Sequence, residues 1–175
     1  MSEIPEPRLI DGSAPATPDR LFARLAELDI SVETHRHEPV FTVEEAQRFR
    51  GTLPGGHTKN LFLRNKKGRM WLVVCGEERT IDLKELAGQL GAGRFSFGRP
   101  ERLMSYLGVI PGAVTPFAII NDHTNAVVVV IERALIEHSL LNFHPLDNAM
   151  TSAIDPSDLL RFLESTGHPA ELIDL

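Results

Sequence analysis

The sequence predicts an α+β domain with a twisted, mixed and largely antiparallel sheet wrapped by helices. Apolar segments of strand length outnumber the segments with helical periodicity. Two pairs of these strands are separated by short polar turns, and such hairpins join antiparallel strands, whereas parallel strands need longer crossovers. The 175 residues, of which 42% are hydrophobic, suit a single core. A doubly wound parallel sheet is therefore disfavoured.

The amino-terminal part of the chain divides into an arm and the start of the domain. Residues 1–16 are rich in proline and carry little hydrophobic pattern, which predicts a flexible or draped arm before a domain over 17–175. The alternating segment 31–36 favours a strand. Thr42 and Glu45 have capping-box spacing, which predicts a short helix ending near Phe49.

Two hairpins are predicted in the rest of the domain. Segments 59–64 and 69–75 flank the polar turn NKKG, and segments 117–121 and 126–131 flank DHTN. Each segment is apolar and rich in β-branched or aromatic residues. They form the predicted sheet.

Four helices are marked by their capping residues. Thr17 followed by Pro18 opens the first, and segments 82–90 and 100–107 each end at a glycine, Gly91 and Gly108. The last begins after Asp155 and continues to about residue 165.

Composition excludes several classes of function. The formal net charge of −6 argues against broad, non-specific binding to DNA or RNA. This net charge still allows a local basic rim around a site. No apolar segment reaches membrane-spanning length and the amino terminus does not resemble a signal peptide, so we expect a cytoplasmic protein without a membrane partner. The single cysteine, Cys75, lies in WLVVC and is interpreted as a buried core residue and not a nucleophile.

Metal and cofactor sites find little support. His35 and His37 would share a strand face and could chelate a metal, but they could equally be solvated, and no third ligand lies nearby in the sequence. The sequence contains no HExxH motif, Walker loop or GxSxG elbow. We therefore expect neither a metal nor a cofactor.

Three weaker features could carry chemistry. Lys59 and Asn60 follow a glycine-rich approach at the entry of a strand, GVIPGAVTPF holds a stiff loop around Gly112, and His144 lies in FHPLDN. The loop amides could form an oxyanion hole, Lys59 could anchor an anionic or ester oxygen, and Asn60 could supply a neutral hydrogen bond. Each feature also has an ordinary interpretation: a strand-edge lysine that blocks aggregation, a connecting loop, and a packed or surface histidine.

Together these residues resemble the YbaK/ProX family, the editing-domain superfamily that includes the inserted domain of bacterial prolyl-tRNA synthetase. The resemblance covers about 17–164 and is most specific in TKNLFLRNKKGRMWLVV, in DLKELAGQLGAGRFSFGRPERLMSYLGVIPGAVTPF and in NFHPLDNAMTSAI. It implies the editing-domain fold and hydrolysis of a mischarged tRNA in trans. No covalent nucleophile is required, because an aminoacyl ester is already activated.

The resemblance also implies roles for individual residues. The family's key lysine and its neighbour fall on Lys59 and Asn60, its GxxxP loop falls on Gly112 to Pro116, and His144 would shape the pocket or steer water. The loop residues Ala113, Val114, Thr115 and Pro116 would hold the amino acid, with Val40, Phe41 and Phe117 as candidate pocket walls. Candidate phosphate contacts are Arg48, Arg50, Lys59, Arg64, Lys66 and Lys67.

The resemblance favours one substrate and leaves alternatives open. The HPL and NAMTSAI patterns are similar to those of members that clear alanine from proline tRNA, which implies Ala-tRNA(Pro) as substrate and the tRNA(Pro) acceptor end as partner. Specificity for Cys-, Ser- or Thr-charged tRNA, or a non-catalytic module that binds tRNA or a synthetase, remains open. A complex with prolyl-tRNA synthetase is also left open.

Overall fold

The computed structural model describes residues 6–39, 42 and 55–175. Within these residues four α-helices and three short 3₁₀ helices surround one mixed sheet. The helices are α1 (Pro18–Glu27), α2 (Leu83–Leu90), α3 (Pro100–Leu107) and α4 (Pro156–Ser165), and the 3₁₀ helices are Pro111–Ala113, Pro116–Asn121 and Arg133–Glu137. The strands are β1 (Glu33–Arg36), β2 (Gly56–Arg64), β3 (Met70–Gly76), β4 (Ser96–Phe97), β5 (Val127–Glu132), β6 (Leu141–Phe143), β7 (Met150–Ile154) and β8 (Glu171–Ile173).

The sheet confirms the predicted α+β class with a mixed sheet. Among the described residues the strand order is β1-β7-β6-β2-β3-β5-β8, and β4 adds to the free side of β2. Pairings β1–β7, β6–β7, β2–β3 and β2–β4 are antiparallel, whereas β2–β6, β3–β5 and β5–β8 are parallel. Strand β2 therefore lies at the centre of the sheet.

The first predicted hairpin is confirmed as β2 and β3. Its turn is held by Asn65, whose side chain accepts from the Arg69 amide at 2.9 Å and donates to the Ala92 carbonyl at 3.1 Å. Gly68 supplies the left-handed conformation at φ +83°. Strand β2 begins at Gly56, three residues earlier than predicted, so Lys59 lies within the strand and not at its entry.

The second predicted hairpin is wrong. Segment Pro116–Asn121 is a buried 3₁₀ helix, and β5 pairs in parallel with β3 and β8. Proline at 116 has no amide hydrogen, and the hydroxyl of Thr115 caps the turn by accepting from the Phe117 amide at 3.3 Å. A short apolar run buried on all sides has the same composition in a helix as in a strand, so its pattern could not distinguish them.

The helix starts and stops are confirmed where the structure describes them. Thr17, Asp82 and Asp155 each accept a hydrogen bond from the first turn of their helix. Gly91 and Gly108 end α2 and α3 in the left-handed region, at φ +62° and +65°. Of the helix predicted over 42–49, all but Thr42 lies outside the described residues.

Two apolar clusters lie on opposite faces of the sheet. Leu72 and Val74 of β3 face α1, α3, α4 and the 3₁₀ helix Pro116–Asn121, whereas Trp71 and Val73 face α2. Within the amino-terminal arm, Leu9 is buried and the Ala16 amide donates to the Asn121 side chain at 2.8 Å. Among the described residues no helix combines the length and apolar character needed to cross a membrane.

Candidate functional site

Lys59 and Asn60 are half-buried and occupy the middle of β2. Lys59 pairs with Cys75 and Asn60 with Val74, so their side chains project to opposite faces of the sheet. Lys59 shares its face with Trp71 and Val73, and Asn60 shares its face with the larger apolar cluster. The two side chains can therefore contact one ligand only from opposite faces of the sheet.

Both residues lie at a gap in the pairing of β2. On the side away from β3, β2 pairs with β6 only at Gly56 and His57, and with β4 only at Leu63 and Arg64. We call the section of β2 between these pairings, residues 58–61, the notch. Backbone and side chains from both faces can reach a ligand there, because no described strand pairs with the notch on that side.

The register of β6 predicts that His144 lies across the notch from Lys59. It directly follows β6, which runs parallel to β2 with Gly56 opposite Leu141 and His57 opposite Asn142. The same register, continued two residues beyond these pairs, brings His144 to the level of Lys59 and to the same face. The extended register thus predicts that two of the candidate catalytic residues lie near each other.

The imidazole of His144 is held in one tautomer. Its Nδ1 lies 2.7 Å from the Met150 carbonyl, which can only accept, so Nδ1 carries the proton and Nε2 is an acceptor in the neutral ring. Burial lowers the pKa of His144, and the nearby His37, whose ring centre lies 6.1 Å away, lowers this pKa further. His144 is therefore neutral at physiological pH.

The turn after His144 carries backbone strain. Leu146 has φ +69°, a left-handed conformation that is costly for a leucine, and its amide donates to the His144 carbonyl at 3.0 Å. Strain of this kind persists only where the surrounding structure imposes it, and it is common beside functional residues.

The loop from Gly112 to Pro116 begins within a 3₁₀ helix. Gly112 belongs to the 3₁₀ helix Pro111–Ala113 and is not left-handed, because a 3₁₀ turn requires negative φ. The Ala113 amide donates to the Ile110 carbonyl at 2.9 Å, so it is already used within the chain. The amides of Gly112, Val114 and Thr115 are the remaining candidates for an oxyanion hole.

Phe117 anchors this loop to β6. Its ring is fully buried and makes edge contacts with Phe143, at 6.0 Å between ring centres, and with Phe162, at 5.7 Å. Phe143 immediately precedes His144, so the loop and the histidine are positioned by one aromatic cluster. Thr115 and Pro116 are also buried, which leaves Gly112 and Val114 as the more accessible loop residues.

Asn60 carries an unsatisfied polar atom. Its Oδ1 is buried and accepts no hydrogen bond from the described residues. A buried acceptor without a donor costs about 1–3 kcal/mol. Such an atom in a candidate site is suited to accept a hydrogen bond from a substrate.

Cys75 is buried, and its surroundings disfavour the thiolate form. Burial raises the pKa of its thiol to about 11, although the Lys59 charge opposes this shift. Its Sγ lies 3.9 Å from the Lys59 carbonyl. The thiolate is therefore scarce at neutral pH, as expected for a core cysteine.

Carboxylates and histidines surround the amino-terminal end of β2, which we call the Lys59 end because it leads to Lys59, the fourth residue of the strand. An open cleft of about 780 Å³ adjoins it, lined by His57, Glu77, Glu78, Arg79, Glu132 and His138 among others. Glu132 is buried at its base, where it pairs with Arg79 and accepts from the Gly76 amide at 2.8 Å. The described lining of this cleft therefore holds more acidic side chains than basic ones.

The predicted RNA contacts do not all lie near the notch. Arg64, Lys66 and Lys67 lie at the opposite end of β2 from Gly56, around the hairpin turn. Arg48, Arg50, Val40 and Phe41 lie outside the described residues.

Sequence reasoning missed further cations in the two segments that meet around the hairpin turn of Arg64, Lys66 and Lys67. These further cations are Arg69, Arg94, Arg99 and Arg102. The clue was the density of cations in RNKKGR and RFSFGRPER, but only the β2–β4 pairing shows that the two segments meet.

The two histidines considered for a metal are hydrogen-bonded within the chain or exposed at the sheet edge. His37 Nδ1 lies 2.7 Å from the Glu38 carbonyl and Nε2 lies 2.8 Å from the Thr151 hydroxyl. His35 Nε2 lies 3.6 Å from a Glu33 carboxylate oxygen. In the part of the chain that the structure describes, no three potential ligands cluster as a metal site.

Comparisons with known proteins agree on one family. The profile of the aminoacyl-tRNA editing domain matches residues 37–162. The prolyl-tRNA editing protein ProX of Acetoanaerobium sticklandii is 37% identical over 156 residues, which cover 89% of this chain and 95% of that protein. The prolyl-tRNA synthetase associated domain-containing protein 1 of Bos taurus is 41% identical over 153 residues, covering 85% and 89% of the respective chains.

Solved structures agree on the fold. One described as a candidate trans-editing enzyme for prolyl tRNA synthetase superposes with a TM-score of 0.67 at 20% identity, over 91% of this chain and 97% of that one. At this identity the likeness concerns the fold, and it confirms the editing-domain architecture.

Proposed function

Because the chain belongs to the aminoacyl-tRNA editing domain family, we propose that it is an aminoacyl-tRNA hydrolase that acts in trans and clears alanine from tRNA(Pro). The observation that carries this proposal is the notch. Lys59 and the buried unpaired acceptor Asn60 Oδ1 lie at adjacent positions of β2. The neutral His144, of defined tautomer, lies just beyond β6.

The proposed reaction needs only water as co-substrate. Water attacks the ester carbonyl carbon, its oxygen becomes part of a carboxylate, and the bond to the terminal ribose oxygen breaks as that oxygen takes a proton. The intermediate carries negative charge on the former carbonyl oxygen. Donors that are already positioned lower the barrier because they stabilise this charge as it develops.

Each residue at the notch has a proposed role. Lys59 binds the terminal nucleotide through its phosphate or ester oxygen. Nε2 of His144 accepts a hydrogen bond from the attacking water, since Nδ1 is already a donor. Asn60 Oδ1 accepts from the substrate ammonium or a ribose hydroxyl, and the amides of Gly112, Val114 and Thr115 face the developing oxyanion.

Selectivity is proposed to follow from size. Alanine is smaller than proline, so the aminoacylation site of a synthetase built for proline cannot exclude alanine by size. A second, smaller hydrolytic site can accept alanine and reject proline. We place the wall of this site at Val114, with Phe117 supporting the loop from behind. Val40 and Phe41 are retained as further candidates.

The partner proposed is the acceptor end of tRNA(Pro). Prolyl-tRNA synthetase is a further proposed partner, because it produces the mischarged substrate. Adding excess synthetase to the hydrolysis reaction and measuring the rate tests whether the two proteins cooperate.

Release of amino acid from tRNA(Pro) charged with alanine, cysteine, serine, threonine or proline tests the proposal. We expect hydrolysis of Ala-tRNA(Pro), little hydrolysis of Pro-tRNA(Pro), and loss of activity in Lys59→Ala. The exposed lysine of α2, Lys84, provides the matched control variant Lys84→Ala. Release from Cys-, Ser- or Thr-tRNA alone would overturn the alanine assignment, and binding without any release would identify a non-catalytic module.

A further inference from the structure

Phe97 is an exposed aromatic residue with no place in the core. Its side chain is 60% exposed, the largest exposed fraction among the large hydrophobic residues that the structure describes. It belongs to β4, where it pairs with Leu63 of β2, and Gly98 donates to the Phe62 carbonyl at 2.9 Å. The backbone that presents Phe97 is therefore fixed, although its ring is solvated.

The two chain segments that meet beside β4 are rich in cations. Segments 64–69 and 94–102 contain one acidic residue, Glu101, and seven cationic residues: Arg64, Lys66, Lys67, Arg69, Arg94, Arg99 and Arg102. None of the seven forms an ion pair with a described carboxylate, whereas Arg24, Arg79, Arg133 and Arg161 do. In a chain of net charge −6 such a concentration is unusual.

The cations are held by the fold around the hairpin turn. Arg69 stacks on Trp71 at 5.2 Å, and Arg102 contacts the sulfur of Met70 at 3.8 Å. The Nε of Arg64 is buried without an acceptor among the described residues. Lys66, Lys67, Arg69 and Arg94 line an open cleft of about 580 Å³.

This inference rests on the proposed function. We infer that Phe97 and the cations of the neighbouring hairpin turn form a binding surface for the single-stranded 3′ end of the substrate tRNA. Phe97 stacks on a base upstream of the terminal adenosine, and the arginine and lysine side chains neutralise the adjoining phosphates. Exposed aromatic rings combined with cations are the usual means of binding single-stranded RNA, because stacking accepts any base and the cations bind the backbone.

The distance to the notch suits this role. Leu63, opposite Phe97, lies four residues along β2 from Lys59, which corresponds to roughly 14 Å in an extended strand. A few unpaired nucleotides can cross such a span. The terminal ester would then reach the notch while the preceding nucleotides contact Phe97.

RNA binding by the full chain tests this surface directly. The probe is a short single-stranded RNA that ends in CCA and carries no amino acid. We expect Phe97→Ala to weaken its binding on the order of ten-fold, whereas Phe97→Trp retains binding and its fluorescence is quenched by the RNA. Ile10→Ala is the matched control, because Ile10 is 58% exposed but lies outside the cation cluster.

Salt dependence isolates the contribution of the cations. Arg99→Gln and Lys67→Gln should each reduce the slope of log affinity against log salt by about one. Arg24→Gln, at a surface arginine paired with Glu27, should leave the slope unchanged.

A minimal ester separates this surface from the proposed chemistry. Phe97→Ala should hydrolyse alanyl-adenosine as the wild type does, but should show a raised KM on Ala-tRNA(Pro). If the wild type hydrolyses neither substrate while RNA binding still depends on Phe97, the proposed activity fails and the surface stands. If Phe97→Ala binds RNA like the wild type, or changes only the self-association of the protein, the inference is overturned.

Discussion

The two ends of β2 have opposite chemistry. The Lys59 end adjoins the carboxylates Glu77, Glu78 and Glu132 and two imidazoles, whereas the hairpin end gathers seven cations and an exposed ring. Acidic surroundings repel a phosphate backbone, and basic surroundings attract it. We therefore propose that affinity for RNA and cleavage of the ester are divided between the two ends of one strand.

The largest effect is expected at the Lys59 end. Lys59→Ala should lower the hydrolysis rate of Ala-tRNA(Pro) by about 100-fold or more, because it removes the charged donor proposed to hold the terminal nucleotide or its ester oxygen at the notch. Single-turnover kinetics with Lys84→Ala as control measures this. An unchanged rate would remove Lys59 from the site and leave it a structural residue.

A steric change at the hairpin end should reduce stability and RNA binding together. A Cβ built on Gly98 would lie 2.5 Å from two atoms of the Phe62 ring, so Gly98→Ala should cost about 1–3 kcal/mol of unfolding free energy and displace Phe97. The control is Gly88→Ala within α2, where nothing lies within 4 Å and a gain of up to about 1 kcal/mol is expected. Denaturant unfolding distinguishes them, and equal stabilities would contradict the close packing at β4.

Replacing Asn60 should lower activity without lowering stability. Replacing Asn60 with leucine removes the unpaired acceptor, so the free energy of unfolding should stay constant or rise by about 1 kcal/mol. Hydrolysis should fall by about ten-fold if Oδ1 accepts from the substrate. A parallel loss of stability and activity would instead assign Asn60 a purely structural role.

The smallest change in hydrolysis rate and stability is expected when the pH is lowered towards 6.5. Because the pKa of His144 lies below its ordinary 6.5 in the folded protein, Nε2 remains an acceptor at pH 6.5 and activity should fall only below it. The unfolded chain binds the proton more readily, so the His144 contribution to stability also falls as pH decreases below about 6.5. A pH–rate profile that already declines above 6.5 would contradict a neutral His144.

A second titratable group, Asp122, affects stability at lower pH. Burial by itself raises the pKa of Asp122, but hydrogen bonds from His168 and from the amides of Ala126 and Val127 outweigh it and hold this pKa below its ordinary 3.8. The stability contributed by the Asp122 carboxylate is present above pH 3.8 and is lost as pH falls below it. Unfolding measured between pH 7 and 4 therefore reports His144 without interference from Asp122.

Local signals explain which parts of the fold could be predicted. Thr17, Asp82 and Asp155 announce their helices because capping depends on residues only a few positions away. The β2–β3 hairpin is equally local. Segment Pro116–Asn121 was misread because its fate depends on distant contacts, such as that of Asn121 with the Leu107 carbonyl at 2.9 Å.

The candidate site could be predicted only in part for the same reason. Lys59, Asn60 and His144 were found through the resemblance, but their faces depend on the strand register. The conformation of Gly112 depends on the 3₁₀ turn that contains it. Phe97 was missed because β4 has only two residues, and its pairing with β2 spans more than thirty positions.

Single-turnover hydrolysis of Ala-tRNA(Pro) over a range of enzyme concentrations tests the division between the two ends most directly. Lys59→Ala should lower the maximal rate, whereas Phe97→Ala should raise the half-saturating enzyme concentration and leave the maximal rate close to that of the wild type. If both variants change the same parameter, the ends of β2 do not divide binding from chemistry, and the account is contradicted.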